Sequence, residues 1–322
     1  MFSAVRVLWA RFVMSRAAII AAYATAVGIW GTTWLGIKVS LASIPPISGA
    51  GFRFIIAGLV LYALAAALRI DFRKNAPPLH LIVVLALTMF GLNYALTYVA
   101  ETRLASGLVA VLFGTMPFFI FAFAHAMVDE RAKRGTIAGA LLALGGVALI
   151  SLVGDVRADI LYVGAALVAS ASSGFANVYL KRFASAEPLS TLAPAMLLAG
   201  LGLTAGGLAT EHVDAARALA PVSLAALAYL ALCGSALAFY LNHWLLQRIS
   251  SGAMGLSALM IPVIAVAVGA LGGGEHLNVR DILGALLVIA GVWLALGRPT
   301  PPLRAATGSP PHDRSLAGAP GD

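Results

Sequence analysis

Apolar runs close to the length of a bilayer crossing follow one another along this chain and leave little of it outside. About ten occur, at roughly residues 18–37, 47–68, 79–99, 104–127, 136–153, 160–180, 190–210, 222–246, 252–272 and 282–297. The hydrocarbon layer is about 30 Å thick, and a helix rising about 1.5 Å per residue needs about 20 residues to cross it. Backbone groups in hydrocarbon must find partners within the protein, so runs of this length fold as helices. Of 322 residues, 61% are hydrophobic and 11% charged, where a soluble domain carries about 25% charged residues. The expectation is an all-α integral membrane protein with ten transmembrane helices and no sizeable soluble domain.

The first run has a competing reading. Arg6, Arg11 and Arg16 precede it and small residues stand near Ala22 and Ala24, as in a secretory signal peptide. Nine further runs without a mature ectodomain favour a membrane span. The basic residues then orient the chain. With the N-terminus inside, inner segments hold 15 of the 21 Lys and Arg, among them Arg73, Lys74, Arg134, Lys181 and Arg248. Outer segments hold Lys38, Arg103, Arg157, Arg217 and Arg280, and Arg53 lies within a run. Lys and Arg concentrate in cytoplasmic loops, so both termini are expected inside. The formal charge of +8 then faces anionic inner-leaflet lipid and needs no nucleic acid. Cys233 is the single cysteine, which excludes an internal disulfide and a Cys-based metal site. Residues 1–17 are expected to form a cytoplasmic segment. Residues 298–322, rich in Pro, Gly, Ala and Ser, are expected to be a disordered cytoplasmic tail.

The chain also repeats itself. At an offset of 143, "GIKVSLASIP" from Gly36 lies over "YLKRFASAEP" from Tyr179, matching Lys38 to Lys181 and Pro45 to Pro188. Further on the offset is 145, and "LALTMFGLNYAL" from Leu85 lies over "LALCGSALAFYL" from Leu230. Arg103, Ser106 and Gly107 then match Arg248, Ser251 and Gly252, Pro117 matches Pro262, and Glu130 matches Glu275. "GALL" recurs at Gly139 and Gly284, each followed by an aligned glycine, Gly146 and Gly291. The expected division is a first five-helix repeat at 18–153 and a second at 154–297. Five is odd, so the second repeat enters the membrane inverted. Inverted repeats build many secondary transporters, with substrate held near the midplane between the halves.

These landmarks resemble the EamA family of the drug/metabolite transporter superfamily. The resemblance is carried by Trp30-Gly31, Lys38, Pro45-Pro46, Arg53 with Ala57-Gly58, and Glu130 ahead of Gly139 and Gly146, with Glu275, Gly284 and Gly291 as the second copy. It covers about residues 18–297. It implies ten transmembrane helices in the inner (plasma) membrane and transport of small metabolites, often export of amino acids or related compounds. The second copy departs from the first where Trp34 aligns with Asn177 and Arg53 with Met196, so those roles are one-sided.

Arg53 stands six residues into the second run, about 9 Å along the helix from its start. Charges at such depth face a bundle interior or a wet cavity and mark substrate paths, or they snorkel to the interface. Trp30, Trp34 and Lys38 share one helix face at i, i+4 and i+8. Trp30 lies too deep for an interfacial belt and is expected at a cavity or a helix contact, with Gly28 and Gly31 permitting close approach. Lys38 and Lys181 at helix ends read as interface anchors. Tyr94, Tyr98 and Thr102 form a stripe whose partners are Phe239, His243 and Gln247. Asn93 and Thr97 flank one stripe and Asn242 the other. Matching stripes suit two halves facing a shared cavity, and polar contacts between helices are the alternative. His243 is able to carry a proton or to rest as a neutral hydrogen-bonded ring. Asn177 and Tyr179 are weaker candidates. Pro117 and Pro262 each free a backbone carbonyl for substrate or for a kink. Glu130 and Glu275 read as solvated loop charges. G-x-x-x-G at Gly135–Gly139, Gly202–Gly206 and Gly269–Gly273 suggests tight helix packing.

Enzyme signatures are absent. There is no G-x-x-x-x-G-K-[ST], H-E-x-x-H or G-x-S-x-G, and "GLGLTAGG" from Gly200 has the wrong spacing for a dinucleotide loop. The expected function is a secondary transporter of small metabolites working by alternating access, with export favoured and no cofactor. An intramembrane enzyme for lipid or isoprenoid substrates and a passive channel are the rivals. The candidate substrate-binding residues are Trp30, Trp34, Arg53, Asn93, Tyr94, Tyr98, Asn177, Asn242 and His243. The expected partners are a small-molecule substrate and membrane lipid, with a homodimer left open.

Overall fold

A computed structural model of the protein describes residues 15–104, 106–151, 159–184, 187–272 and 278–296. The segments 1–14 and 297–322, which include most of the expected N-terminal segment and the whole tail, lie outside the described residues, as do Arg157, Gly273 and Glu275. Among the described residues there are helices and no strands. The first half runs α1 (Arg16–Leu41), α2 (Pro46–Ala67), α3 (Leu79–Glu101), α4 in two pieces (α4a, Ser106–Phe113; α4b, Met116–Val128) and α5 (Arg134–Ser151). The second runs α6 (Ile160–Phe183), α7 (Pro188–Thr210), α8 (Pro221–Leu246), α9 in two pieces (α9a, Ser251–Gly255; α9b, Ser257–Gly272) and α10 (Val279–Leu296). Among the described residues eight helices are long and apolar enough to cross a bilayer: α1, α2, α3, α6, α7, α8, α10 and the Val111–Val128 stretch of α4. The apolar helices in α5 and α9 are shorter. The protein is a multi-pass membrane protein.

Local chemistry sets the helix ends. Ser15, Asp159 and Ser250 accept from backbone N–H groups in the first turns of α1, α6 and α9a. Pro46, Pro188 and Pro221 open α2, α7 and α8, where a missing N–H costs nothing. Pro45 precedes α2 and has no capping side chain, and Glu211, at the far end of α7, fills the gap. Its carboxylate accepts from Ile47 N at 2.9 Å, Ser48 N at 2.8 Å and Ser48 Oγ at 2.7 Å.

Two seams join the halves, each between repeat-equivalent helices. A Cβ added to Gly51 would overlap Thr204, one on Gly58 would meet Ala193 and Leu197, one on Gly200 would meet Phe54 and Ile55, and one on Gly207 would meet Ser48. These contacts run backwards in sequence, so α2 and α7 are antiparallel. Gly139 packs on Gly291 and Ala295, and Gly146 on Gly284 and Val288, so α5 and α10 are antiparallel as well. All four glycine pairs are spaced by seven residues, two turns along one face. This corrects the G-x-x-x-G expectation: Gly135, Gly202 and Gly206 meet nothing within 4 Å, and among the glycines of those motifs that are described in packing, only Gly139 is tightly packed. Gly28 is likewise open, while a Cβ on Gly31 would overlap Ile264 of α9b.

Both halves carry a π turn at the same place. Ala86–Leu92 interrupts α3 and Leu232–Leu237 interrupts α8, in register at the offset of 145. Carbonyls at the irregular points are taken up by the opposite half. Ser172 Oγ donates to Thr88 O at 2.9 Å, and Arg53 Nη2 donates to Gly234 O at 3.1 Å. The Phe113 carbonyl, four residues before Pro117, accepts from Ser170 Oγ at 3.4 Å. Irregular backbone at membrane depth is thereby satisfied inside the protein.

At one end of the bundle Glu130 pairs with Lys181 Nζ at 2.9 Å and accepts from Ser251 N at 2.8 Å, while Lys181 Nζ also donates to Ile249 O at 2.5 Å. Glu130 and Lys181 therefore tie the α4–α5 connection to α6 and α9a. They are not the solvated charge and the interface anchor expected, because the fold brings the α4–α5 connection against the end of α6.

Candidate functional site

A cavity of about 90 Å³ lies where α1, α2, α3, α4, α6, α8 and α9 converge. Its wall is built largely from repeat-equivalent pairs. Trp30 and Ser173 are equivalent at the offset of 143, as are Trp34 and Asn177, and all four line it. Tyr94 and Phe239, Thr97 and Asn242, Phe113 and Ala258, and Met116 and Ile261 are equivalent at 145 and also line it. The cavity therefore straddles the relation between the halves, and the two halves have diverged around it. The first supplies Trp30, Trp34 and Tyr94; the second answers with Ser173, Asn177 and Phe239.

Arg53 is one of the wall residues without an equivalent in the wall, because Met196 is buried outside it. Arg53 is 1% exposed, yet it contributes to the lining. Its Nε donates to Ser235 Oγ at 2.7 Å, its Nη2 to Gly234 O at 3.1 Å, and its Nη1 to Tyr98 OH at 3.4 Å. The guanidinium carbon lies 4.8 Å from the Tyr94 ring centre and 5.5 Å from that of Phe54, within cation–π range. No carboxylate among the described residues lies within 4.0 Å of it. The Arg53 guanidinium is a buried cation held by neutral groups and facing a cavity.

The amides form a second polar edge. Asn242 Nδ2 donates to Asn177 Oδ1 at 3.0 Å, and Asn177 Nδ2 donates to Ser173 O at 2.9 Å. On α3, Asn93 Nδ2 donates to Met89 O at 3.2 Å, and Thr97 Oγ1 to Asn93 Oδ1 at 3.4 Å. Trp30 meets Phe239 edge to face with ring centres 5.7 Å apart.

Of the nine candidates from the sequence, Trp30, Trp34, Arg53, Asn93, Tyr94, Asn177 and Asn242 line the cavity. Tyr98 and His243, which are equivalent to each other, stand one layer behind the wall, at 1% and 0% exposure. The cavity face of α3 runs Asn93–Thr97 with Tyr94 at its margin, which leaves Tyr98 on the flank against Arg53. Tyr179 bonds His80 Nδ1 at 2.8 Å and is not part of the lining. Ser173 and Thr33 were not among the candidates. Ser173 was discoverable as the equivalent of Trp30, whereas Thr33 has no such signal. Ser235, which holds Arg53, stands four residues before Phe239, one turn beyond the stripe read from the sequence. Among the described residues no group of three His, Cys, Asp or Glu is placed to hold a metal ion.

The profile of the EamA-like transporter family matches this chain twice, over residues 16–152 and 160–297. The chain is 30% identical over 275 residues to the uncharacterized inner membrane transporter YedA of Escherichia coli K12, covering 84% of this chain and 88% of YedA. It is 26% identical over 272 residues to the uncharacterized transporter YoaV of Bacillus subtilis, covering 83% and 92%. A probable amino-acid metabolite efflux pump of Salmonella typhimurium is 25% identical over 277 residues, covering 83% and 90%. A protein crystal structure at 20% identity shares the fold, with a TM-score of 0.76 over 87% of this chain and 97% of the other.

Proposed function

The chain belongs to the EamA-like transporter family, and on that premise we propose that it is a secondary transporter that moves a small anionic metabolite by alternating access about the Arg53 cavity. The chain crosses the inner membrane ten times in this reading, as two inverted five-helix halves with both termini inside. Antiparallel pairing of α2 with α7 and of α5 with α10 supports the inversion.

Arg53 carries the reading. A buried charge without a counter-charge costs several kcal/mol, and intramembrane ionisable groups that face cavities mark substrate paths. A carboxylate or similar anion on the substrate supplies the missing charge. The aromatic side of the wall suits the body of such a molecule, and the Asn177–Asn242 edge its polar groups. Export is the direction favoured, in line with the relative named as an efflux pump.

The test is purified protein in liposomes, assayed by counterflow against a panel of labelled carboxylates and neutral analogues. A carrier shows substrate-dependent counterflow; a passive channel shows flux without it. Arg53→Gln and Arg53→Lys should both lower the rate per folded molecule, Gln by about a hundredfold and Lys by less, because Lys keeps the charge and loses the planar fork. A normal rate per folded Arg53→Gln molecule overturns the proposal.

A further inference from the structure

We propose that Ser235, with the π turn that carries it, is a positioning residue that fixes which edge of Arg53 the substrate meets. This rests on Arg53 binding the anionic group. A guanidinium can grip a carboxylate along either of two edges, Nε/Nη2 or Nη1/Nη2. Here the first edge is occupied by consecutive residues of one π turn: Nε by Ser235 Oγ at 2.7 Å and Nη2 by Gly234 O at 3.1 Å. The Tyr98 contact to Nη1, at 3.4 Å, is long and weak by comparison. Tyr94 and Phe54 sit near the guanidinium as aromatic neighbours. The Nη1/Nη2 edge is what remains for a substrate. The glycine is required, since a Cβ at Gly234 would stand 3.1 Å from Nη2 and 2.7 Å from Thr33 Cγ2.

The other half supplies an internal control. At the repeat offsets Arg53 corresponds to Met196 and Ser235 to Phe90. Phe90 lies in the equivalent π turn, and Phe90 and Met196 are both fully buried in one hydrophobic cluster. The same contact between an α2-type helix and a π turn is thus apolar in one half and cationic in the other. The scaffold packs without the Arg–Ser pair, and the cation and its hydroxyl partner differ together. That covariation inside one chain is expected if the pair serves the cavity and not the fold.

The experiment uses the purified full chain in detergent, with sodium benzoate as probe and benzamide as its neutral isostere, read as ligand-dependent thermal stabilisation. Wild type should be stabilised by benzoate and not by benzamide. Ser235→Ala should weaken benzoate binding by about tenfold, beyond the drop in ligand-free melting temperature that leaving Arg53 Nε unpartnered brings, and Ser235→Thr, which keeps the hydroxyl, should restore most of both. The double variant Arg53→Met with Ser235→Phe copies the other half; it should accumulate and melt as wild type does and lose the benzoate response. Benzoate binding at wild-type strength in Ser235→Ala overturns the positioning role and leaves Arg53 as the anion site. A wild type that does not distinguish benzoate from benzamide overturns the Arg53 reading itself, and the positioning role with it.

Discussion

Thr97 and Tyr98 are neighbours on α3, and only Thr97 lines the cavity. A stripe drawn at i, i+4 from Tyr94 picks Tyr98, whereas the face set by the wall picks Asn93 and Thr97. All four residues lie in the regular helix after the π turn, so a stripe started at Tyr94 instead of Asn93 is displaced by one residue, about 100° around the helix. Ser235 stands one turn before the stripe that starts at Phe239, while Arg53, Trp30 and Trp34 were legible because a deep charge and deep tryptophans are conspicuous in an apolar run. The difference is measurable. In a Cys233→Ala background, cysteines at Thr97 and Asn242 should react with small aqueous thiol reagents at least about tenfold faster than cysteines at Tyr98 and His243, following their places in the wall and behind it. Equal reactivity at all four positions would contradict this description of the cavity.

At the level of the helix, the seams replace hydrophobic attraction, which is unavailable between apolar helices in lipid, with close backbone contact. Gly139, Gly146, Gly284 and Gly291 were visible as repeat landmarks, but their partners were not, because a motif within one helix does not say which helix it meets. Substitutions separate the two kinds of glycine. Gly200→Val should overpack the α2–α7 seam against Ile55 and reduce folded protein, at a cost of about 1–3 kcal/mol. Gly202→Val, two residues away and facing open space, should accumulate as wild type does. Size-exclusion profiles of fluorescent fusions report both, and equal behaviour of the two variants would count against the seam.

Across the whole molecule, the all-helical fold and its two repeats were legible in the apolar runs and their recurring landmarks. The contact between Glu130, Lys181 and Ser251 needed the fold, because its members come from three separate segments. It clasps the two halves at the end of the bundle where the basic residues gather. If the halves rock about the cavity, this clasp must open once per cycle. Lys181→Glu, which sets two carboxylates together, should therefore change the transport rate by about tenfold. Exchanging the two charges with Glu130→Lys should recover only part of it, since a lysine cannot accept from Ser251 N. Counterflow at normal rate in Lys181→Glu would remove the clasp from the cycle.

The two seams have one more property. Each brings a helix against its own repeat equivalent, so the surfaces that hold the halves together are copies of each other turned end for end. A half of this kind is complementary to a second copy of itself turned end for end. One short ancestral gene, whose product inserted in both directions, would already have possessed the complete assembly as a dimer. Were two copies of such a gene fused, each could drift separately, and a single arginine could arise on one side of the shared cavity without appearing on the other. The lopsided chemistry of the site is what a symmetric dimer could never have evolved.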